Sequence, residues 1–365
     1  MRDGLRIPVR TAHGAYDVLV EHGALARLGA EVRRVSDVSR CALVTDTVVG
    51  PLLAAAARES LEGAGFDTVV VTVPAGEASK SWATAGRIVE DFSEAGLGRD
   101  SIVVALGGGV VGDVAGFAAA TFLRGVPVVQ VPTTLLAQAD SAIGGKTGVD
   151  LPRGKNLAGA FWQPVLVLSD PEVLQTLAPA EFASGLAEVV KSAILDGERS
   201  LASLEADAAG LEARDTGAIG RAVTMAASFK AGVVASDERE DGDRECLNYG
   251  HTLAHALERE LGYGAVSHGA AVAEGVRFAA RLAVDIADAP PEWAARQESL
   301  LDSLGLSRLH ERCDPAALLS AMKSDKKARA GAVRFVLTTA PGAWTVVAVE
   351  DVAVAAALAR WCGDA

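Results

Sequence analysis

The chain has 365 residues, half of them apolar, and a formal net charge of −13 at pH 7. Because one hydrophobic core rarely serves so long a chain, we expect two packed domains. The acidic excess, without any basic run, argues against a nucleic-acid partner and against an anionic membrane surface. The polar N-terminus does not resemble a signal peptide, and no apolar run approaches the roughly 20 residues of a spanning helix. We therefore predict a soluble, cytoplasmic protein without a membrane partner.

The first half of the chain alternates predicted strands with predicted helices. Runs that are apolar on both faces predict buried strands at residues 40–45, 67–73, 101–106, 126–131 and 164–168. Helical spacing that stops at glycine predicts helices at residues 52–63 and 81–96, and two earlier runs, 5–10 and 16–20, predict a hairpin at the edge of the sheet. This order is typical of a mostly parallel sheet covered by helices.

The second half of the chain has a different texture. Strand-like runs disappear after about residue 170 until residues 333–337 and 344–349, and the intervening sequence is rich in Ala, Leu and Glu. We predict an α/β domain over residues 1–170 and a mainly α-helical domain over residues 171–365. Pro171 marks the boundary because its fixed φ suits a linker turn.

A glycine-rich turn follows the predicted strand at residues 101–106 and opens a helix. Its Gly107, Gly109 and Gly112 match G-x-G-x-x-G, in which backbone N–H groups and a helix N-terminus contact a pyrophosphate. The alternative is a tight turn that needs glycine for packing. Phosphate binding is favoured because three consecutive glycines cost backbone entropy. The usual dinucleotide-binding motif has an acid about 20 residues after the glycines, where it binds a ribose, and this chain has none there. Asp46, after an earlier strand, could supply that contact, or it could only form a turn.

Charged side chains gather in two further segments. The turn at residues 74–80, which contains Glu77 and Lys80, by itself predicts solvated charges ahead of a helix start. Residues 130–156 are predicted to form a Gly-rich loop region that carries Asp140 and Lys146. The double glycine before Lys146 favours an ammonium group aimed at an anionic small molecule over a surface charge in a mobile loop.

Histidines and an acid suggest a metal site. His251 and His255 stand four residues apart, so they share a helix face, and His268 follows thirteen residues later. With a carboxylate such as Glu188 they fit a three-ligand catalytic zinc site, although the spacing does not choose between the histidines. Glu188 and Lys191 share a face at i, i+3, which fits an internal ion pair as well as a metal ligand beside a substrate-binding lysine. The general base of H-E-x-x-H peptidases is absent.

Taken together, these segments resemble the 3-dehydroquinate synthase family of sugar phosphate cyclases, and the match covers almost the whole chain. The segments that carry the resemblance are GGGVVGD at 107–113, PTTLL at 132–136, DSAIGGKT at 140–147, GKN at 154–156, EVVK at 188–191, Arg244 with LNYGHTLAH at 247–255, HG at 268–269 and DKK at 325–327. Each is weak alone, but their order and spacing are jointly specific.

The resemblance implies a dehydroquinate synthase-like fold, usually assembled as a homodimer. An α/β N-terminal domain with a mostly parallel sheet would bind NAD, and a mainly α-helical C-terminal domain would bind metal and substrate. Zinc, or cobalt, would be held by Glu188, His251 and His268. NAD would lie against Asp46, Glu77, Lys80, Gly108, Gly109, Val110, Asp113, Thr133, Thr134, Asp140, Lys155, Thr176, Leu177 and Glu181.

The same resemblance implies how substrate is bound. The substrate, a sugar phosphate with an anion at both ends, would be bound by Asp140, Lys146, Asn156, Lys191, Lys230, Arg244, Asn248, His255 and Lys326. His255 would also handle a proton, and Arg124 would reach the phosphate of the neighbouring subunit's ligand. Two positions depart from the family pattern. Val48 stands where Asn is frequent, and Ala270 stands where Glu is common, so a nucleotide contact and an outer contact of the metal site are affected.

The implied activity is that of a carbon–oxygen lyase of the shikimate pathway, which converts 3-deoxy-D-arabino-heptulosonate 7-phosphate to 3-dehydroquinate and phosphate. NAD would oxidise a hydroxyl transiently, phosphate would leave by β-elimination, and re-reduction and an intramolecular aldol step would close the ring. One alternative is cyclisation of an amino-substituted analogue or of another sugar phosphate. A more remote one is a metal- and NAD-dependent polyol dehydrogenase, whose neutral substrate would not need so many lysines. The third is a non-catalytic metabolite sensor.

Overall fold

Strands and helices alternate in the first half of the chain and give way to helices in the second. The computed structural model describes residues 4–262, 264–309, 313–324 and 332–363. The strands are β1 Leu5–Thr11, β2 Gly14–Val20, β3 Arg40–Asp46, β4 Asp67–Val73, β5 Ser101–Gly107, β6 Val128–Pro132, β7 Lys146–Leu151, β8 Gly154–Phe161, β9 Leu166–Ser169, β10 Val333–Ala340 and β11 Ala343–Val349. The α-helices are α1 Leu28–Val35, α2 Ala55–Gly63, α3 Trp82–Glu94, α4 Gly109–Thr121, α5 Pro179–Asp196, α6 Glu198–Glu212, α7 Thr216–Ser236, α8 His251–Glu260, α9 His268–Ile286, α10 Pro291–Ser303, α11 Pro315–Ser324 and α12 Asp351–Gly363.

The chain divides into two compact units. Unit 1 comprises Met1–Leu177 and Lys230–Arg239, and unit 2 comprises Ala178–Phe229 and Glu240–Ala365. Within the described residues, unit 1 contains a seven-stranded sheet in the order β1-β2-β9-β6-β5-β3-β4. Its neighbouring strands are parallel except for the edge hairpin of β1 with β2. The predicted fold class, a mostly parallel sheet followed by a largely helical half, is confirmed.

The centre of the sheet in unit 1 is covered on both faces. All seven residues of β5 are buried, which is why this strand is apolar without alternation. On one face, Ile88 and Phe92 of α3 and Val114 of α4 pack in one core cluster with Val44 of β3 and Val103 of β5. This packing fixes the N-terminus of α4 directly beyond the end of β5.

The prediction of a Gly-rich loop region at residues 130–156 was wrong for residues 146–151 and 154–156, which belong to β7 and β8. There β7 and β8 form an antiparallel hairpin in which Gly148 lies opposite Gly159. A Cβ atom on Gly148 would lie 2.6 Å from the carbonyl oxygen of Ala158. The glycines therefore mark a close approach of two strand backbones, and they hide the alternation by which a strand is usually recognised.

Unit 2 is packed around α9, which contacts α5, α8, α10 and β10. Two glycines of α9 permit this packing. A Cβ atom on Gly269 would lie 2.6 Å from the carbonyl carbon of Ser184 in α5, and one on Gly275 would lie 2.7 Å from the carbonyl carbon of Gly250. Direct contact between backbones therefore ties α9 to α5 and to the residue that precedes α8.

Among the described residues, one helix, α7, is long and apolar enough to cross a membrane by length and composition. The prediction that no run approaches a spanning helix missed it. Half of its apolar window is buried within the protein, and the core helices of soluble proteins meet the same criterion. By itself α7 gives little support for a membrane span.

Candidate active site

Three side chains of unit 2 form a group that can hold a metal ion. Glu188 lies in the middle of α5, while His251 and His268 are the first residues of α8 and α9. One ligand atom from each residue lies within 4.8 Å of the other two. The Nε2 atoms of both histidines lie 3.4 Å from Oε1 of Glu188. The structure thus brings together the three residues that the family resemblance assigned to zinc.

The outer nitrogen of each imidazole faces an acceptor of its own. Nδ1 of His251 lies 3.1 Å from the main-chain carbonyl oxygen of Tyr249. Nδ1 of His268 lies 3.5 Å from Oε2 of Glu258. A proton on each Nδ1 leaves the lone pair of each Nε2 directed toward the side of Glu188, as in histidines that bind a metal.

Burial and neighbouring charges set the protonation of this group. Burial alone would raise the pKa of Glu188, but Lys191 and then His251 hold that pKa well below its usual range. Burial lowers the pKa of His251 to about 4 against the attraction of Glu188. Burial also acts to lower the pKa of His268, but Glu188 and Glu258 outweigh it and raise that pKa to about 9. The group therefore contains a carboxylate, a neutral imidazole, and an imidazole that would release a proton on binding a metal.

The surroundings of Glu188 fit a metal ligand. Its side chain is 1 % exposed, and neither carboxylate oxygen accepts a well-directed hydrogen bond from the described residues, although Nζ of Lys191 contacts Oε2. A buried carboxylate with unused acceptor capacity is expected where a cation binds. One carboxylate and two imidazoles are also the protein ligands of many catalytic zinc sites. The i, i+3 spacing does produce an ion pair, and this pairing leaves Oε1 facing the two histidines.

His255 follows His251 by one turn of α8 but is not a member of the metal-ligand group that the described residues form. Its ring is nearly perpendicular to that of His251, with the two centroids 5.5 Å apart. In the turn that precedes α8, Nδ2 of Asn248 donates to Oε1 of Glu240 at 3.1 Å. The two histidines of α8 therefore differ in their surroundings, which the spacing alone could not show.

In unit 1 the loops after β3, β5 and β6 leave neighbouring strands at the carboxyl edge of the sheet. Asp46 is the last residue of β3, and Gly108 and Thr133 are the first residues after β5 and β6. The N–H of Thr133 donates to the carbonyl of Gly107 at 2.9 Å, and a Cβ atom on Gly108 would lie 2.9 Å from Cγ2 of Thr134. The glycine turn thus stands at the strand-to-helix junction where α/β folds bind phosphate groups.

The glycines of this turn differ in what they permit. A Cβ atom on Gly112 would lie 2.8 Å from Oε1 of Gln130 in β6, so Gly112 serves the packing of α4 on the sheet. Gly108, Gly109 and Val110 are partly exposed at the start of the helix. The packing interpretation therefore holds for Gly112, and the phosphate interpretation stays a prediction for the residues that open α4.

Two ion pairs lie beside the glycine turn. Nζ of Lys80 is 2.5 Å from Oδ2 of Asp113, and Nζ of Lys155 is 3.3 Å from Oε1 of Glu77. Burial alone would lower the pKa of Lys80, but Asp113, with Glu77 and Asp150, raises it above its usual value. Burial raises the pKa of Asp113, and the attraction of Lys80 offsets only part of that effect. The predicted solvated turn was wrong for Lys80, which is 7 % exposed, whereas Glu77 is exposed.

Asp46 caps the turn after β3. Its Oδ1 accepts hydrogen bonds from the N–H groups of Val48 and Val49, both at 2.8 Å. The turn-forming role is therefore confirmed, and the ribose contact stays a prediction. Val48, one of the two departures from the family pattern, is 61 % exposed at this turn.

Two residues that the sequence reasoning missed, Gln138 and Asp170, hold the ends of the strands. Nε2 of the buried Gln138 donates to the carbonyls of Pro132 and Asp170, at 3.0 and 2.9 Å. The carboxylate of Asp170 accepts three main-chain N–H groups. An amide inside the apolar run at 135–139, and an acid directly before a proline, were the available signals. These contacts position the segment after β9 that ends in Thr176 and Leu177.

The residues assigned to substrate are distributed over both units. In unit 1, Nζ of Lys230 lies 2.8 Å from Oδ1 of Asp140 and donates to the carbonyl of the same residue at 2.7 Å. Lys146, in β7, Asn156, in β8, and Arg124, after α4, are exposed.

The described substrate residues of unit 2 include two fully buried cations. Lys191 and Arg244 are among the largest fully buried side chains. Glu181, assigned to NAD, lies in the first turn of α5 and is exposed. Lys326 lies outside the described residues.

Comparison with known proteins identifies the family. Residues 70–184 match the profile of the family described as 3-dehydroquinate synthase N-terminal, and residues 185–328 match that of 3-dehydroquinate synthase C-terminal. The chain belongs to the 3-dehydroquinate synthase family. A 3-dehydroquinate synthase of Symbiobacterium thermophilum is 48 % identical over 340 residues, which are 92 % of this chain and 94 % of the relative. The family resemblance seen in the sequence is confirmed.

Solved structures of sugar phosphate cyclases share the fold of this 3-dehydroquinate synthase family member. The 2-epi-5-epi-valiolone synthase of Streptomyces hygroscopicus subsp. jinggangensis, solved with NAD⁺ and Zn²⁺ bound, is 27 % identical, with a TM-score of 0.87 over 96 % of this chain and 97 % of its own. A 2-deoxy-scyllo-inosose synthase complexed with carbaglucose-6-phosphate, NAD⁺ and Co²⁺ is 22 % identical, with a TM-score of 0.86 over 98 % of this chain and all of its own.

Proposed function

We propose that this lyase converts 3-deoxy-D-arabino-heptulosonate 7-phosphate to 3-dehydroquinate and phosphate. The observation that carries the proposal is the group of Glu188, His251 and His268, with buried Lys191 beside it, in a chain that is 48 % identical to a 3-dehydroquinate synthase. In the proposal, residues 1–170 form the NAD-binding domain and residues 171–365 the domain that binds metal and substrate.

The proposed metal is Zn²⁺ or Co²⁺, the ions of the two solved cyclases. When bound, it supplies a Lewis acid that polarises a substrate oxygen. The protein contributes one carboxylate oxygen and two histidine Nε2 atoms, each from a different helix. Lys191 contacts the carboxylate of Glu188 and so keeps this ligand ionised inside an apolar helix face.

NAD is proposed to bind at the carboxyl edge of the unit 1 sheet, and when bound it supplies a hydride acceptor that is regenerated in each turnover. The partly exposed start of α4 offers unpaired N–H groups and the positive end of a helix to the pyrophosphate. The proposed contacts are Asp46, Glu77, Lys80, Gly108, Gly109, Val110, Asp113, Thr133, Thr134, Asp140, Lys155, Thr176, Leu177 and Glu181.

The proposed substrate carries a carboxylate and a phosphate, and the assigned residues match those charges. The proposed contacts are Asp140, Lys146, Asn156, Lys191, Lys230, Arg244, Asn248, His255 and Lys326. Arg244 and Lys191 are fully buried, and Lys191 is paired with Glu188. In the proposal these cations also contact the anionic groups of the substrate. A neutral polyol would not require them, which favours a sugar phosphate.

His255 is proposed to hydrogen-bond the substrate and to move a proton at it. Imidazole can accept or donate a proton near neutral pH, which suits the elimination and ring-closing steps. His255 is one helical turn from His251 and outside the metal-ligand group of the described residues. This position supports a role toward the substrate rather than toward the metal ion.

The proposed working form is a cytoplasmic homodimer in which Arg124 reaches the phosphate bound by the other subunit. Leu123 and Arg124 are exposed and have φ values of 51° and 70°. This left-handed conformation costs about 1 kcal/mol or more for each residue other than glycine, and such strain is concentrated at functional sites. The strained turn supports a functional role for Arg124.

The direct test is phosphate release from the heptulosonate phosphate with NAD at catalytic concentration. We expect phosphate to form in many-fold excess over NAD. NADH that accumulates in step with product would instead indicate a polyol dehydrogenase. A faster rate on the amino-substituted analogue would assign the chain to that substrate.

The role of His255 has its own test. We expect His255→Ala to abolish phosphate release while the protein still binds one zinc ion per chain. His22→Ala, at an exposed histidine of unit 1, is the matched control and should keep wild-type activity. Full activity of His255→Ala would exclude the assigned role.

A further inference from the structure

We propose that Glu258 is a positioning residue of the metal centre, which orients His268 so that Nε2 of this histidine faces the ion. The inference rests on the proposed metal site and extends it to a residue that the family resemblance did not assign. Its basis is the geometry of α8 and α9 in unit 2.

Glu258 stands on the same face of α8 as the two histidines. Residues 251, 255 and 258 follow the i, i+4, i+7 spacing of one helical stripe, and α8 packs against α9. Oε2 of Glu258 lies 3.5 Å from Nδ1 of His268, while Nε2 of His268 lies 3.4 Å from Oε1 of Glu188. The imidazole of His268 is therefore held between two carboxylates, one at each ring nitrogen.

Glu258 is buried beside the imidazole of His268. The residue is 5 % exposed, and an ionised carboxylate is costly to bury without a positive partner. A carboxylate that accepts the Nδ1 proton of a metal-binding histidine fixes its tautomer, fixes the ring orientation and increases the basicity of Nε2. Glu258 is placed to do all three for His268.

The two histidine ligands have outer partners of different kinds. His251 faces the neutral main-chain carbonyl of Tyr249, whereas His268 faces a carboxylate. The first turn of α9, which is described completely, contains no acidic residue. A carboxylate for His268 is therefore supplied by the adjacent helix α8.

The test measures zinc affinity of the full-length protein by competition with a chromophoric chelator, in the absence of NAD and substrate. Outer partners of this type typically contribute 10- to 100-fold in metal affinity. We expect Glu258→Leu to bind zinc about 100-fold more weakly and Glu258→Gln about 10-fold more weakly, because Gln keeps the shape and an acceptor but loses the charge. Glu260→Gln, at an exposed acid of the same helix, is the matched control and should bind as the wild type does.

A spectroscopic readout separates orientation of the ligand from general stability. The visible d–d bands of the cobalt-loaded protein report the donor strength of the ligands, and we expect them to shift in Glu258→Gln but not in Glu260→Gln. If Glu258→Leu does not fold, the isosteric Glu258→Gln variant decides. Wild-type zinc affinity and an unchanged cobalt spectrum in folded Glu258→Gln would overturn the proposal. Failure of the proposed function is a different result: the wild-type protein would bind zinc but would release no phosphate from the substrate.

Discussion

Gly275→Ala is predicted to disturb the metal site from a distance of two helical turns. Gly275 lies in α9, seven residues after His268, and its Cα atom faces Gly250, which directly precedes His251. An added Cβ atom would overlap the carbonyl oxygen of Gly250 and lie 2.7 Å from its carbonyl carbon. Both atoms belong to the backbone, so no side chain can rotate away.

The size of the effect follows from these distances. Carbon atoms pack at about 3.5 Å, so the two backbones must separate by roughly 1 Å. Overpacking of this kind costs about 2–3 kcal/mol of unfolding free energy. Ligand distances of a metal site tolerate only about 0.2 Å, so a displacement of Gly250 that carries His251 with it should weaken zinc binding at least about tenfold.

Urea unfolding and chelator competition measure the two effects. The matched control is Gly86→Ala in α3, where a Cβ atom would meet nothing within 4 Å. Since glycine is unfavourable inside a helix, this control should gain about 0.5–1 kcal/mol and keep wild-type zinc affinity. A Gly275→Ala protein with the urea midpoint and the zinc affinity of the wild type would refute the argument from close backbone approach.

Three further outcomes are expected. Asp46→Ala should lower the unfolding free energy by about 1–2 kcal/mol, because two N–H groups lose their acceptor. Asp46→Asn should keep the stability of the wild type but bind NAD more weakly in a titration. Equal NAD affinity of Asp46→Asn and the wild type would contradict the proposed contact between Asp46 and the ribose. Tyr249→Phe should cost about 1–3 kcal/mol in urea unfolding, because the buried Gln297 loses the hydroxyl that donates to it at 2.6 Å, and an unchanged midpoint would contradict this. A chelator should abolish phosphate release while the helical circular dichroism remains, with recovery on adding Zn²⁺ or Co²⁺, and loss of helical signal would contradict the packing described for α5 and α9.

The sequence predicts the sheet of unit 1 well because its strands are apolar on both faces, which leaves little ambiguity. It fails at β7 and β8, where glycines and polar residues such as Lys146 and Asn156 break the alternation while main-chain pairing forms the strands. Local patterns record which side chains are buried. They do not record where two backbones approach closely.

The metal site shows the same division. The spacing of His251 and His255 indicated one helix face but could not choose between these histidines, because that choice depends on where α5 and α9 cross α8. Glu258 lies on the same face of α8 as His251 and His255, yet its partner, His268, lies on another helix. Contacts between distant segments are invisible to periodicity, and the family resemblance supplied the ligand set that spacing left open.

The manner in which the ligand helices are fixed bears on how the protein matures in a cell. Zinc fingers need their ion to fold, since little else holds their ligands together. Here α9 is joined to α5 by a hydrogen bond from the N–H of Gly269 to Oγ of Ser184 at 3.0 Å, as well as by backbone contact. His268, at 32 % exposure, is the ligand most open to solvent, whereas Glu188 is sealed below it. We therefore expect the chain to fold before an ion binds, so that the ion enters a ligand set that the packing of α5, α8 and α9 has already assembled.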